Sequence, residues 1–529
     1  MQCSAFAAGI LDNETKFQVD IIPFAEQFIS IANGACDIAV SPTVATFQRD
    51  IYEPTSQSGM QFMIQPPTSY GGDTFVGLPE FVRCAGIGDS LIGICRGLSI
   101  CYMYSSSVQE ILIQRHLPGS KIHAAGSFEE IFQSLSNGTC NVLAGPPPIF
   151  TERTARRHNY TGPYVFAPNL FSRSTPSFTT RNDDAEFGDM ISWIYRSLVV
   201  AEVLNITKER SDEFPSTNVF GSKYTNIFKN AISVVGHFGE FYNLYIDPYL
   251  PRDAFGSINT PHMTKEDGGL LYPYPFGKLD EAPTDTSSSS YQPILTAGGT
   301  LETIEGRQAL YCGIITDETR RDGLVFRNES TNDWMGIDVD YCRGLAASLF
   351  AGDVKIDSTL YLMQYPSIED AFVALANGEI DVLSGAVYNL ENDVKQPTTN
   401  QGFAFGDIYY YYSCPANSNS ASIETVLPIS MATRQVDAQW SDFVRLMISS
   451  TIYAEENNIT QTTAGEMTLL ELFGGTYRQA LRDLIVSIGN YAEIYQRNME
   501  SFLPRANNTR NTLNDAGSPM FFANWDFSL

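Results

Sequence analysis

The chain has 529 residues, 43% of them hydrophobic and only 18% charged, which suits a folded globular protein with room for two or more cores rather than a disordered chain. With 60 acidic against 33 basic residues the formal charge is -27, and no local basic patch interrupts it, so the surface repels nucleic acid and anionic membranes. No run of about 18 apolar residues occurs, which argues against a transmembrane helix and against direct membrane insertion.

The opening Met1-Gln2-Cys3-Ser4 offers neither the charged start, the apolar stretch nor the small-residue cleavage site of a secretory signal. Next comes a unit, Phe28 to Asp37, that reads Phe-x-x-apolar-x-Asn-Gly-x-x-Asp/Asn and then apolar residues. It recurs from Phe132 to Asn141 and from Phe372 to Asp381. Phe and an apolar residue three positions on share one helix face, and glycine accepts the left-handed conformation that ends a helix. The Val142-Leu143 and Val382-Leu383 pairs that follow suit a parallel strand covered on both faces. The pattern therefore predicts an amphipathic helix, an Asn-Gly stop and a buried strand, three times over.

Towards the end of the first half stand Ala201-Glu202, Asn205-Ile206-Thr207, Phe220-Gly221, Gly236, Glu240, Tyr242 and Leu250-Pro251-Arg252. At a constant offset of 253 they return as Ala454-Glu455, Asn458-Ile459-Thr460, Phe473-Gly474, Gly489, Glu493, Tyr495 and Leu503-Pro504-Arg505. Upstream, Ala32-Asn33-Gly34-x-x-Asp37 matches Ala376-Asn377-Gly378-x-x-Asp381 at an offset of 344. The offsets differ by 91 residues, so the second copy lacks a segment the size of a structural lobe, too large for a loop difference. Lys278 to Ser290, with Pro283, four consecutive serines and several acids, reads as a flexible linker. A first module over residues 1–277, a Ser-rich linker over 278–296 and a second, truncated module over 297–529 follow.

Four segments together are specific. They are Trp334-x-Gly336-x-Asp338-Val339-Asp340-x-Cys342-Arg343, Ala374-Leu375-x-Asn377-Gly378-Glu379-Ile380-Asp381-Val382-Leu383-Ser384, Gln439-Trp440-x-Asp442-x-Val444-Arg445 and Gly489-Asn490-Tyr491-x-Glu493-Ile494-Tyr495. Through them the chain resembles the general L-amino-acid-binding proteins of ABC importers, within family 3 of the solute-binding proteins. The resemblance implies an α/β fold of tandem periplasmic-binding-protein-like (type 2) modules, each built on two lobes that close on one small molecule by a hinge motion. In the first module, lobe one would be 1–76 plus 181–277 and lobe two 80–175. The second would lack most of its second lobe, since the sequence jumps from Tyr409–Cys414 through a Ser/Asn-rich link to Val426-Leu427-Pro428. Cys3-x-Ala5 matches Cys342-Arg343-Gly344, so the counterpart of Leu310-Tyr311-Cys312 is expected to be missing and the signal segment with it.

An amino acid carries a carboxylate and an ammonium, and burying either unpaired costs far more than a neutral hydrogen bond returns. In the resembled family, the loop after the Asp-Val strand supplies threonines and an arginine that forks onto the carboxylate. Here that loop is Ser41 to Arg49, which implies ligand contacts from Thr43, Thr46 and Arg49. Ser105, Ser106 and Ser107, before a helix expected near Val108, match the family's Thr-Thr helix start, where hydroxyls and backbone N–H groups receive an anion. A surface arginine that caps a helix beside a Ser-rich turn is the structural alternative. The family's aspartate for the ammonium is replaced by Pro146, which can neither donate nor carry charge. In the second copy Asp393, or Asn392 if one residue is skipped, stands where the arginine belongs, so that half is expected to serve assembly or folding.

The resemblance also implies disulfides Cys101–Cys140 and Cys312–Cys342, hence an oxidising, extracytoplasmic compartment, periplasmic or secreted. A small carboxylate or amino acid and a membrane transporter or receptor are the implied partners. No cofactor or metal is expected: the nine cysteines lack zinc or Cys-x-x-Cys spacing, and the five histidines form no nucleophile or metal spacing. A sensor or adhesion module on the same fold, or a dehydratase-like enzyme, are the competing functions.

Overall fold

The computed structural model describes residues 2–23, 26–45, 47–51, 60–62, 71–103, 110, 113–114, 116–172, 176–248, 251–252, 298–317, 323–414, 425–470, 472–505 and 511. The linker expected over 278–296 lies outside them. In chain order the strands of the first half are β1 (Ala39–Val44), β2 (Met60–Phe62), β3 (Thr74–Gly77), β4 (Ser99–Met103), β5 (Lys121–Ala125), β6 (Val142–Gly145), β7 (Val165–Phe166) and β8 (Pro176–Arg181). Those of the second are β9 (Leu310–Ile315), β10 (Phe326–Arg327), β11 (Trp334–Met335), β12 (Leu360–Tyr365), β13 (Val382–Val387), β14 (Phe403–Phe405), β15 (Tyr410–Cys414) and β16 (Thr425–Arg434).

Each recurrent unit folds as its pattern dictates. Helices Gln27–Ala32, Phe128–Ser136 and Ile368–Ala376 run into Asn-Gly, where Gly34, Gly138 and Gly378 take positive φ, and β1, β6 and β13 follow. Two of the three start on a serine, Ser127 or Ser367, whose hydroxyl accepts from the backbone N–H three residues on.

The result is a mixed α/β architecture. In the first half, β1, β8 and β2 form one antiparallel sheet in the order β1-β8-β2, while β5-β4-β6-β3-β7 form a separate five-stranded sheet whose β5, β4 and β6 are parallel. In the second half, parallel β12-β9-β13 continue into antiparallel β16, which β14 and β15 flank, and β10 pairs with β11. The order β13-β16-β14 reproduces β1-β8-β2. Hydrogen bonding moves two limits drawn from the sequence at 76 and 181. Thr74–Gly77 pairs with β6, so it goes with the five-stranded sheet, and Pro176–Arg181 pairs with β1 and β2, so it goes with the three-stranded one.

Among the described residues three disulfides close the chain: Cys101–Cys140 and Cys312–Cys342, both anticipated, and Cys84–Cys95, which was not. Cys3 and Cys36 are free. The two halves share their cores. Phe28, Ile31, Ala39, Ala45 and Phe47 of the first pack into the large cluster built on Leu345, Trp440, Phe443 and Leu484 of the second. Leu390 of the second packs into the cluster of Trp193, Ile194, Phe228 and Phe238 in the first.

Candidate functional site

In the first half, β1 delivers the chain to a short helix, Phe47–Ile51, that carries Arg49. The Arg49 guanidinium carbon lies 5.6 Å from the centre of the Phe28 ring, within cation–π range, on a partly exposed side chain. Thr43 is turned inward at 1% exposure, and its hydroxyl donates to Gln27 Oε1 at 2.9 Å. Structure therefore brings Thr43 and Arg49 onto one strand–helix unit, whereas Thr46, Ser105, Ser106 and Ser107 lie outside the described residues. Pro146 directly follows β6, all four residues of which are buried.

The second half builds the same unit: β13 leads to a short helix, Leu390–Val394, whose cap Asn389 accepts from the backbone N–H of Asn392. Laying the two five-residue helices end to end puts Asn392 at the place of Arg49 and Asp393 at that of Asp50. Asn392 Nδ2 donates to its own chain at Val387 O, 2.9 Å away. An amide tied to local backbone thus stands where the other half has a guanidinium.

The two aspartates engage the opposite half. Asp50 forms an ion pair with Arg445, whose guanidinium also lies 5.0 Å over the Phe47 ring and 3.5 Å from Asp442. Asp393 Oδ2 accepts from Trp193 Nε1 at 2.7 Å, with the Tyr388 hydroxyl at 3.4 Å. Arg196 sits 5.0 Å from both the Trp193 and the Tyr388 ring centres, and Gln435 Nε2 donates to Asp189 at 2.6 Å. Both long helices that supply these groups, Ala185–Val203 and Ala438–Glu456, are capped by an aspartate, Asp184 or Asp437. Of the two residues that the sequence offers at the arginine's place, Asp393 or Asn392, the structure puts Asn392 there, and the tie from Asp393 to Trp193, 200 residues away, is one that no local pattern announces.

Between the halves these groups enclose a cavity of about 130 Å³. Its electrostatics follow from burial. Desolvation, then repulsion from Asp393, holds the Asp189 carboxyl well above its ordinary range; desolvation pushes Asp393 itself up to about 6 against the hydrogen bond from Trp193. Asp442 is pushed up to about 8 by desolvation and by Asp437, so burial outweighs the guanidinium 3.5 Å away. The same burial lowers Arg445 to about 9, still charged at neutral pH. Asp407, 3% exposed, is raised by desolvation.

Three of the five histidines have structural surroundings: His116 hydrogen-bonds Ala85 O and stacks near Phe75, His158 stacks on Phe132, and His237 caps helix Phe238–Tyr245. Among the described residues no group of three His, Cys, Asp or Glu could hold a metal ion, and no helix is long and apolar enough to cross a membrane.

No family model matches the chain. Its homologues are amino-acid ABC transporter-binding proteins. YhdW of Escherichia coli (strain K12), provisionally named as such a protein, is 33% identical over 118 residues, 22% of this chain and 30% of that one. The chain therefore spans under a third of this relative. BztA of Rhodobacter capsulatus, named as a glutamate/glutamine/aspartate/asparagine-binding protein, is 22% identical over 294 residues, covering 52% of this chain and 82% of its own. Among solved structures, an ABC transporter/periplasmic binding protein from Brucella ovis with glutathione bound is similar at 21% identity, a TM-score of 0.38 and coverage of 49% of this chain and 81% of that one.

Proposed function

We propose that this chain is an extracytoplasmic solute-binding protein for an amino acid or a related small carboxylate, delivered to a membrane transporter or receptor. In this reading residues 1–277 form a complete type 2 module and residues 297–529 a second module without most of its second lobe, joined by the Ser-rich 278–296 link. The carrying observation is the double crossing in the first half: the chain leaves its three-stranded sheet after β2, builds a whole five-stranded sheet, and returns as β8. A double crossing is what two lobes closing on one ligand require. In the second half only residues 415–424 separate β15 from β16, which pair directly, so there is no room for an opposing lobe.

The ligand carboxylate would be gripped between the lobes by Arg49 with Thr43 and Thr46 on one side and Ser105, Ser106 and Ser107 on the other. Pro146 withdraws the ammonium partner, so carboxylates without an amino group should bind at least as well as amino acids. The second half is degenerate by the same logic, Asn392 replacing the arginine.

Calorimetric titration of the full chain with L-amino acids and with simple mono- and dicarboxylates is the test. Saturable binding lost by at least 100-fold in Arg49→Ala supports the clamp. Absence of any heat from either ligand class favours an interaction module of the sensor or adhesion type, and turnover of a titrated ligand favours a dehydratase-like enzyme.

A further inference from the structure

We propose that Asn13 and Asn137 carry N-linked glycans, a covalent modification that stands apart from the ligand reading. Seven Asn-x-Ser/Thr triplets occur in the sequence, and all but the one at Asn507 fall on described residues. Such triplets arise by chance in any chain rich in Asn, Ser and Thr, so placement has to separate a modification signal from residues that the fold itself demands.

The fold accounts for four of them. Asn159, Asn205 and Asn458 take positive φ, 61°, 54° and 55°, which asparagine tolerates, and their middle residues Tyr160, Ile206 and Ile459 are buried in the core. Asn205-Ile206-Thr207 and Asn458-Ile459-Thr460 are one turn repeated at the offset of 253, and each threonine precedes a short 3-10 helix. Asn328 shapes the turn between β10 and β11: its Oδ1 accepts from the Ser330 and Thr331 backbone N–H groups, and its Nδ2 donates to Met335 Sδ at 3.4 Å.

Asn13-Glu14-Thr15 and Asn137-Gly138-Thr139 differ. All six residues are exposed. In each triplet the threonine hydroxyl donates to the asparagine Oδ1 at 2.7 Å and the threonine N–H donates to the same oxygen at 3.0 Å, while Nδ2 has no partner among the described residues. The fold does not ask for these threonines. In the two sibling helix and Asn-Gly units the place of Thr139 is held by Ala35 and Glu379, and Asn33 Oδ1 makes the same turn with the Ala35 N–H alone. Asp12 and Ala351 both take positive φ just past helices Gln2–Leu11 and Ile337–Leu349, yet Gly352-Asp353-Val354 follows in the second half where Asn13-Glu14-Thr15 follows in the first. Two donors on the amide oxygen ease the loss of a proton from Nδ2. In the transfer Nδ2 bonds to the anomeric carbon of a lipid-linked oligosaccharyl diphosphate, the carbon–oxygen bond to the diphosphate breaks, the lipid diphosphate departs and the amide proton passes to a base of the transferase. The three disulfides fit the oxidising compartments in which such a transferase works. Asn137 precedes β6 and Pro146 follows it, so that glycan stands at the strand end opposite the proposed cleft.

The test is peptide mapping of the full chain, isolated from the cells that make it, after enzymatic release of N-glycans in heavy-oxygen water, which marks each asparagine that carried one. Asn13 and Asn137 should both be marked. Thr15→Ala should abolish the mark at Asn13 alone and Thr139→Ala that at Asn137 alone, whereas Thr15→Ser and Thr139→Ser, which keep the hydroxyl, should retain them. Ala35→Thr should add a mark at Asn33. An unmarked Asn13 or Asn137 in the native chain overturns the proposal for that site, and a mark that persists in its alanine variant does the same. No mark at Asn33 in Ala35→Thr overturns the part given to the turn. Failure of the cleft reading shows separately, as absence of carboxylate binding.

Discussion

Residues 16–37 and 360–381 carry the same pattern and meet opposite fates. In the second half Leu360–Tyr365 forms β12, zipped in parallel to β9, with Leu360 fully buried. At the offset of 344, Phe17, Val19 and Ile21 keep the alternation, yet Val19 is 62% and Ile21 97% exposed, and the described residues of the first half contain no counterpart of β9. Asp381, buried, accepts from Arg307 and from the Tyr311 backbone N–H at 2.7 Å, whereas Asp37 is exposed. Cys342 is bonded to Cys312, whereas Cys3 is free. An alternating segment becomes a strand only where a neighbour offers its backbone.

Three experiments sharpen that contrast or break it, the strongest effect first. Asp381→Ala removes one partner of a buried pair and should cost about 3 kcal/mol in urea unfolding, while Asp37→Ala should stay within about 0.5 kcal/mol; equal costs would mean that the first-half edge is covered after all. Replacing Cys312 and Cys342 by serine releases a closure of 30 residues and should cost about 3 kcal/mol, somewhat less if native packing relaxes, against almost nothing for Cys3→Ser.

The third concerns the contact between the halves. Asp393 and Asp442 hold their protons more tightly folded than unfolded, with values pushed from 3.8 to about 6 and about 8. The folded chain therefore binds more protons across this window, and its stability falls as pH rises from about 4 to about 8. The fall is followed by thermal unfolding at a series of pH values. Asp442→Asn should flatten its upper part and Asp393→Asn its lower part. A slope unchanged in both variants would show that neither carboxyl is desolvated by the other half.

What was legible in the sequence was whatever repeats locally. The Phe-to-Asn-Gly units gave their helices and strands because the signal lies within ten residues, and two cysteine pairs followed from the resemblance. Cys84–Cys95 was not legible, since eleven residues of separation fit many loops. Arg49 and Thr43 were found as neighbours on one unit, but the seating of Asp50 and Asp393 in the opposite half was hidden. Contacts between segments hundreds of residues apart leave no periodicity to read. The same holds for Asp407, which reads as one more surface acid until packing closes over it.

The crossed placement of Phe47 and Leu390 has an evolutionary consequence. Each side chain fills a hole in the other half's interior, so a bulkier residue at either position has to be accommodated by a change in a distant stretch of the gene. Neither half can then be trimmed alone without opening a void in its sibling.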